Sequence, residues 1–475
     1  MILNKKTKIV ATIGPATESE EMLTKLLKAG LNVVRMNFSH GDFAEHQGKV
    51  DNGRKASKKT GIPLAFLQDL GGPKIRLGEF DTDSGRVTIK KGNKFILTTK
   101  KVKGTEEMVH VSYDRLPKEV KVGHHIMLDD GKKKLLVTAI KGAEIHTKIL
   151  VGGELKGRRG VNMPDSEITI SSLTPKDKAD LKFGLKNNVD FFALSFVRRP
   201  SDVKELRAIL NKAKSKAHII SKIETPQAVE NIDEIIELSD GIMVARGDLA
   251  IEVPAEQVPI IQKELIRKCN LAGKPVITAT QMLESMINSA TPTRAEVSDI
   301  SNAILDGTDA IMLSEETTLG EYPVESVEVM TRVSVHTENT VLHEQLLQAE
   351  ERINPKNVGE TIAAYTVRAA HRVGAKYIVT LTNSGYSARM LSRHRSQLPL
   401  LVFTPNDDTY QKSILSFGAW VFKTKTYSDF KEVTKEIREV ILKEKLAKKG
   451  DKIVIAASRP FGKQVETNMM LIETI

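Results

Sequence analysis

In Ser221-Lys222-Ile223-Glu224 a lysine and a carboxylate stand two residues apart, so on an extended segment they share one face. A second acid, Asp248, follows in Arg246-Gly247-Asp248. Two carboxylates on neighbouring segments suit Mg²⁺ or Mn²⁺, which takes few protein ligands and keeps waters and substrate oxygens. Arg35, Arg76, Arg246 and Lys222 supply cations on which phosphate or carboxylate oxygens could dock. Any one of these groups could be half of a structural ion pair. Together they read as metal-assisted chemistry on a phosphorylated or carboxylated substrate, without a covalent nucleophile.

These residues end short apolar, β-rich runs. Strands are predicted at 8–14, 32–38, 63–70, 191–197, 218–223, 241–245, 275–279 and 310–313, with amphipathic helices such as 19–29, 202–214 and 256–272 between them. Eight parallel-type strands alternating with helices predict an α/β fold, a (β/α)8 TIM barrel, whose sites form at the C-terminal strand ends. Those ends carry Arg35, Asn37, Ser39 and His40, then Gln68 and Asp69, Ser195 and Arg198, Lys222 and Glu224, Arg246 and Asp248, Thr280 and Gln281, and Ser314, Glu315 and Glu316. Seven clusters of charge, amide and hydroxyl at one end of a barrel point to an enzyme.

The long gap between the third and fourth strands reads as an inserted antiparallel β-barrel-like lid, with strands at 86–90, 94–99 and 135–140 and a hairpin turn at Asp130-Gly131. Residues 77–160 hold 18 Lys/Arg against 11 Asp/Glu, most of the net +11 of the chain. A basic lid over a strand-end site suits phosphates; a solvated lysine-rich surface is the plainer alternative. Aromatic residues make up 5% of the chain and none interleave with a basic run, which argues against nucleic acid. No apolar run is long enough to span a membrane, the N-terminus has no signal-peptide core, and Cys269 stands alone. A reducing cytoplasm is expected. After Met330 a helical linker is predicted to lead into a second α/β unit with strands at 377–381, 398–403, 420–422, 453–456 and 469–472. There Thr382-Asn383-Ser384-Gly385-Tyr386-Ser387 opens a helix at 388–395. Such a loop is an anion site or an ordinary helix cap. The predicted division is 1–75 with 161–340 as barrel, 76–160 as lid and 341–475 as C-terminal domain.

Several segments are shared with one family. Thr7-Lys-Ile-Val-Ala-Thr-Ile-Gly-Pro-Ala16, Arg35-Met-Asn-Phe-Ser-His-Gly41, Ser221-Lys-Ile-Glu224, Asp240-Gly-Ile-Met-Val-Ala-Arg-Gly-Asp-Leu249, Ala279-Thr-Gln-Met-Leu-Glu-Ser-Met286, Pro292-Thr-Arg-Ala-Glu-Val-Ser-Asp299 and Met312-Leu-Ser-Glu-Glu-Thr317 resemble pyruvate kinases in order and spacing. The resemblance implies phosphoryl transfer from phosphoenolpyruvate to ADP, giving pyruvate and ATP, the last step of glycolysis. It implies that Arg35 holds the transferring phosphate and Lys222 lies over the bridging oxygen. Glu224 and Asp248 would bind the divalent metal, while Gly247, Asp248 and Thr280 receive the substrate carboxylate. Thr280 and Ser314 are implied near the protonated face of the enolate. Asn37, His40, Arg76 and Arg159 would serve the nucleotide. A phosphorylated effector is implied at Thr382, Asn383, Ser384, Gly385 and Ser387, and a homotetramer is what the family suggests. The chain departs at Tyr386, where a basic residue is common, in the 459–465 segment, and at Glu315, where glycine is common. A catalytically dead regulator or a metal-dependent pyruvate-enolate lyase on the same fold would be the competing readings.

The stretch after the third strand, Asp69-Leu70-Gly71-Gly72-Pro73-Lys74-Ile75-Arg76, departs most sharply from relatives that hold a monovalent cation there. Leu70 replaces a threonine hydroxyl ligand, and Lys74 replaces a glutamate. An ammonium in that place can take the electrostatic role of the ion and repel potassium. Activity is therefore expected to be independent of potassium. With Mg²⁺ in tetramethylammonium buffer, potassium added at constant ionic strength should change the rate little; a rise of about tenfold or more would contradict the charge argument.

Overall fold

The computed structural model describes residues 5–340, 354–426, 429–460 and 465–475. Eight parallel strands close into a barrel: Lys8–Thr12, Val33–Asn37, Ala65–Asp69, Phe191–Leu194, His218–Ile223, Gly241–Ala245, Val276–Ala279 and Ala310–Leu313. Their period of two divides the apolar residues into two sets. Val10, Val33, Leu67, Phe191, Ile220, Met243, Ile277 and Met312 fill the barrel interior. Ile9, Val34, Phe66, Phe192, Ile219, Ile242, Val276 and Ile311 face the surrounding helices. The helices start where the side chains can satisfy open backbone donors. Ser19 caps Glu20–Ala29, and Thr174 and Thr293 form capping boxes with Asp177 and Glu296.

One expected strand boundary moves here. The strand predicted at 191–197 stops at Leu194, because Phe196 turns to φ +53° and gives its N–H to Glu224. The helical stretch expected after Met330 is the second half of a barrel helix, Pro323–Glu338, with Val327 and Met330 fully buried. Residues 341–353, at the start of the expected C-terminal unit, lie outside the described residues.

The insertion between Asp69 and Phe191 forms a six-stranded curled sheet and a two-stranded one around their own core of Phe95, Leu97, Val109, Ile126 and Leu135. Asp129, Asp130 and Gly131 all take positive φ in the tight turn that joins His125–Leu128 to Lys133–Lys141. The expectation of an antiparallel insertion fails at one pair: Lys94–Thr98 pairs in parallel with Met108–His110, since residues 99–107 carry the chain back instead of turning it as a hairpin.

The C-terminal sheet runs Ala419–Lys423, Leu400–Thr404, Tyr377–Leu381, Lys452–Ala457, all parallel, with Met469–Thr474 antiparallel at its edge. The helix after the hydroxyl-rich loop is Tyr386–Ser392, not 388–395. Gly385 at φ +79° starts it early, and Arg395, at φ +47°, leaves it to dock on the barrel. Buried Arg395 donates to both oxygens of Asp309 (2.9 and 2.7 Å), to the Gly307 carbonyl at 2.9 Å and to Asn270, and lies over the Phe417 ring. Asp309 immediately precedes the eighth strand, so this pair rivets the C-terminal domain to the N-terminal end of the barrel. Arg395→Ala would leave Asp309 buried without its counter-charge, at a cost of about 3–5 kcal/mol. Urea unfolding followed by circular dichroism should show that loss; a change under about 1 kcal/mol would mean that the rivet bears little load.

Candidate active site at the barrel mouth

The third, fourth and fifth strands bring a buried charge cluster together. Lys222 Nζ lies 2.8 Å from Glu224 Oε1 and 3.4 Å from Asp69 Oδ1, and donates to Ser195 Oγ at 2.8 Å. Ser195 in turn donates to the Leu70 carbonyl at 2.7 Å. Burial works against the Lys222 charge, but Asp69 and Glu224 outweigh it and hold the ammonium well above its ordinary pKa. Burial likewise opposes ionisation of Asp69, and Lys222 and Arg35 overcome it and bring its pKa down. Arg35 wraps the same aspartate, with Nε at 2.8 Å and Nη2 at 2.6 Å from Oδ2, and its Nη1 donates to Thr12 Oγ1 at 2.7 Å. Asp69, Ser195 and Thr12 thus belong to the cluster. The sequence showed the first two only as polar strand ends, and Thr12 gave no signal.

Glu224 Oε2 accepts the Phe196 N–H at 2.7 Å, and its buried Oε1 lies against the Lys222 ammonium at 2.8 Å. Burial, helped by the nearby Asp248 carboxylate, pushes the Glu224 pKa up against the pull of Lys222. Two neighbouring carboxylates, one of them pushed up by burial and by the other, fit a divalent cation, whose charge would relieve that cost. Among the described residues no three His, Cys, Asp or Glu side chains converge to hold an ion, so such a cation would draw its other ligands from substrate and water.

Gly247 and Asp248 lie in the first turn of Arg246–Glu252. The Gly247 N–H donates to Thr280 Oγ1 at 2.8 Å, and that hydroxyl donates to the Ala279 carbonyl at 2.6 Å. Arg246 is not a free cation for substrate, contrary to expectation: it is paired through both terminal nitrogens with Asp299 at 2.7 Å. Ser314 closes the eighth strand, its N–H held by Glu316 Oε2 at 2.7 Å. Glu316 also receives the Leu283 N–H and so ties the loops after strands seven and eight together. Glu315 is exposed at the start of a helical turn with no positive φ, so the glycine common there is not needed.

The lid closes over this mouth. Asn162 donates to Glu252 at 2.7 Å, and a narrow cleft is lined by Lys74, Asp130 and Asn162 from the lid side and by Arg198, Asp248 and Glu252 from the barrel. Burial raises the Glu252 carboxyl to about 7. A wider cleft of about 720 Å³ gathers Lys74, Arg76 and Arg159. Arg76 donates to the Arg158 carbonyl and Arg159 pairs with Asp129 at 3.1 Å. Asn37 and His40 do not line that cleft. Asn37 Oδ1 accepts the Ser39 N–H, and the His40 side chain is exposed. Leu70 is buried and has no side-chain oxygen; Lys74 is exposed, yet on the walls of both clefts. Gly72, at φ +65°, makes this crossing possible, since a Cβ there would meet Phe196 at 2.7 Å and Ser195 at 3.0 Å.

In the C-terminal domain a cavity of about 480 Å³ is lined by Thr382, Asn383, Ser384, Tyr386, Ser387 and, unforeseen from sequence, Lys425. Thr382 Oγ1 accepts the Gly385 N–H at 2.9 Å, and the Ser387 hydroxyl is paired with Thr467. Part of the expected 459–465 departure, residues 461–464, lies outside the described residues.

Comparisons with known proteins agree with this geometry. Residues 4–327 match the family described as pyruvate kinase, barrel domain, and residues 360–473 match pyruvate kinase, alpha/beta domain. The chain is 44% identical over 474 residues to a pyruvate kinase of Bacillus licheniformis, covering 99% of this chain and 80% of that one. It is 43% identical over 477 residues to a pyruvate kinase of Geobacillus stearothermophilus, covering 100% and 81%. A crystal structure of a pyruvate kinase from Cryptosporidium parvum superposes with a TM-score of 0.94 at 36% identity, over 100% of this chain and 97% of that one. With both domains matched and the barrel mouth built as described, the chain belongs to the pyruvate kinase family.

Proposed function

We propose that the chain transfers the phosphoryl group of phosphoenolpyruvate to ADP, with residues 1–75 and 161–340 as catalytic unit, 76–160 as lid and 341–475 as regulatory unit. The observation that carries this reading is the buried Lys222 ammonium, held charged between Asp69 and Glu224 at a strand end. A group so firmly protonated is a fixed charge, not a proton donor. It can stabilise the charge that spreads over the phosphoryl oxygens and the departing enolate, while Arg35 steadies the phosphate. Glu224 and Asp248 would hold a divalent cation, Mg²⁺ or Mn²⁺, which when bound adds positive charge beside the substrate oxygens. The N–H groups of Gly247 and Asp248, with the Thr280 hydroxyl, would receive the substrate carboxylate: the Gly247 N–H would leave Thr280 Oγ1, and the hydroxyl would turn its proton from the Ala279 carbonyl to the carboxylate. Thr280 and Ser314 would pass a proton to the enolate through water, since neither hydroxyl is an acid alone.

Arg76 and Arg159, with Asn37 and His40 nearer the second strand, serve ADP. Lys74 stands in for a monovalent cation. The C-terminal cavity takes a phosphorylated effector at Thr382, Asn383, Ser384, Gly385 and Ser387, with Lys425 as its cation, and the chain assembles as a homotetramer.

Pyruvate formation from phosphoenolpyruvate that requires both ADP and Mg²⁺ tests the reaction. Lys222→Met keeps the length of the side chain and should lower turnover by at least about 10²–10³-fold. A folded variant retaining a tenth of the activity would remove Lys222 from its role. Ser384→Glu should abolish activation by sugar phosphates or nucleoside monophosphates and leave basal turnover unchanged, because a carboxylate would occupy the anion position. If none of these ligands activates the unmodified enzyme or shifts its melting temperature, the loop is a helix cap only.

A further inference from the structure

Thr280 occupies a backbone conformation that its own side chain resists. Its φ is +71°, and that of Gln281 is +55°. A β-branched residue stays in this region only where its surroundings over-determine it. Arg246, at the end of the sixth strand, does so: Nη2 donates to the Thr280 carbonyl at 2.7 Å and Nε to the Ala279 carbonyl at 3.2 Å. The guanidinium is fixed from behind by Asp299, in the helix Arg294–Leu305, through two parallel bonds of 2.7 Å. A fork held on both sides has one orientation. The same helix anchors the loop further along, since Glu296 accepts the Ser285 N–H at 2.7 Å and its hydroxyl at 2.5 Å. With both ends pinned, the Thr280 hydroxyl stays against the Gly247 N–H.

We propose that Asp299 is a positioning residue of this reaction: through Arg246 it holds Thr280 in the left-handed conformation that aims its hydroxyl where the substrate carboxylate is received. This rests on the function proposed above. Asp299 touches no reacting group, and an asparagine would offer one acceptor and one misdirected N–H₂ to the two donors of Arg246.

Steady-state kinetics of Asp299→Asn test this directly. KM for phosphoenolpyruvate should rise about tenfold and kcat fall about tenfold, with KM for ADP unchanged, because Thr280 meets only the first substrate. A merely structural role would reduce the active fraction and move neither KM. In a Thr280→Ala background, Asp299→Asn should add less than about threefold, since both changes break one unit. Arg246→Lys, which keeps the charge but loses the fork, should give the same split and serves if Asp299→Asn does not fold. An unchanged KM for phosphoenolpyruvate, equal rises in both KM values, or full additivity with Thr280→Ala would overturn the inference while an active wild type leaves the proposed function standing. A wild type without ADP-dependent turnover would overturn that function and this inference with it.

Discussion

Lys222 gives up most of its water on entering the barrel mouth, and a charge survives such burial only where fixed counter-charges replace the solvent. Asp69 comes from the third strand, Ser195 follows the fourth, and Glu224 directly follows the strand of Lys222. None of these contacts exists unless neighbouring strands pair in one register, with Asn37 opposite Asp69, Ala193 opposite Asp69, and Leu194 opposite Ser221. A slip of one residue would turn each of these side chains to the helix-facing side. The packed interior beneath, alternating between Val10, Leu67, Phe191, Ile220 and Met243, fixes that register. Hydrophobic packing thus decides where the charges stand.

The cluster is close to neutral as it stands, with Lys222 and Arg35 set against Asp69 and Glu224. A tightly held balance of this kind needs little rearrangement when an anionic substrate enters, so the cost of organising the site is met during folding. Glu224 still carries a cost from burial and from the nearby Asp248, which a divalent cation beside the two carboxylates would relieve.

The barrel also keeps its two ends apart in purpose. The eighth strand has Asp309 at its N-terminal end, clamped by Arg395, and Ser314 at the other. Burial without water makes the Asp309 pair a structural rivet. At the opposite end the lid contacts, such as Asn162 with Glu252, border a narrow cleft, and a wider one of about 720 Å³ shares its Lys74 wall. The polarity follows from a parallel barrel, in which all the loops that leave the strands emerge on one face.

Much was legible in the letters. The eight barrel strands, the inserted β unit, the C-terminal sheet and the run Lys222, Glu224, Asp248, Thr280 follow from periodicity and from polar residues at strand ends, which are local properties of the chain. Local sequence misled where a long-range partner intervened. Arg246 reads as a free cation until Asp299, far along the chain, captures it, and the helix expected through Arg395 ends early because Asp309 draws that residue to the barrel. The pairing of Arg35 with Asp69, the left-handed turn at Thr280 and the placing of Lys425 beside the Thr382 loop likewise depend on segments brought together only by strand order and core packing. Residue types and spacing determine what chemistry the chain can supply. Which charges remain available for it is decided by tertiary contacts, because a buried ion pair forms between whichever groups the packed core sets within a few ångströms.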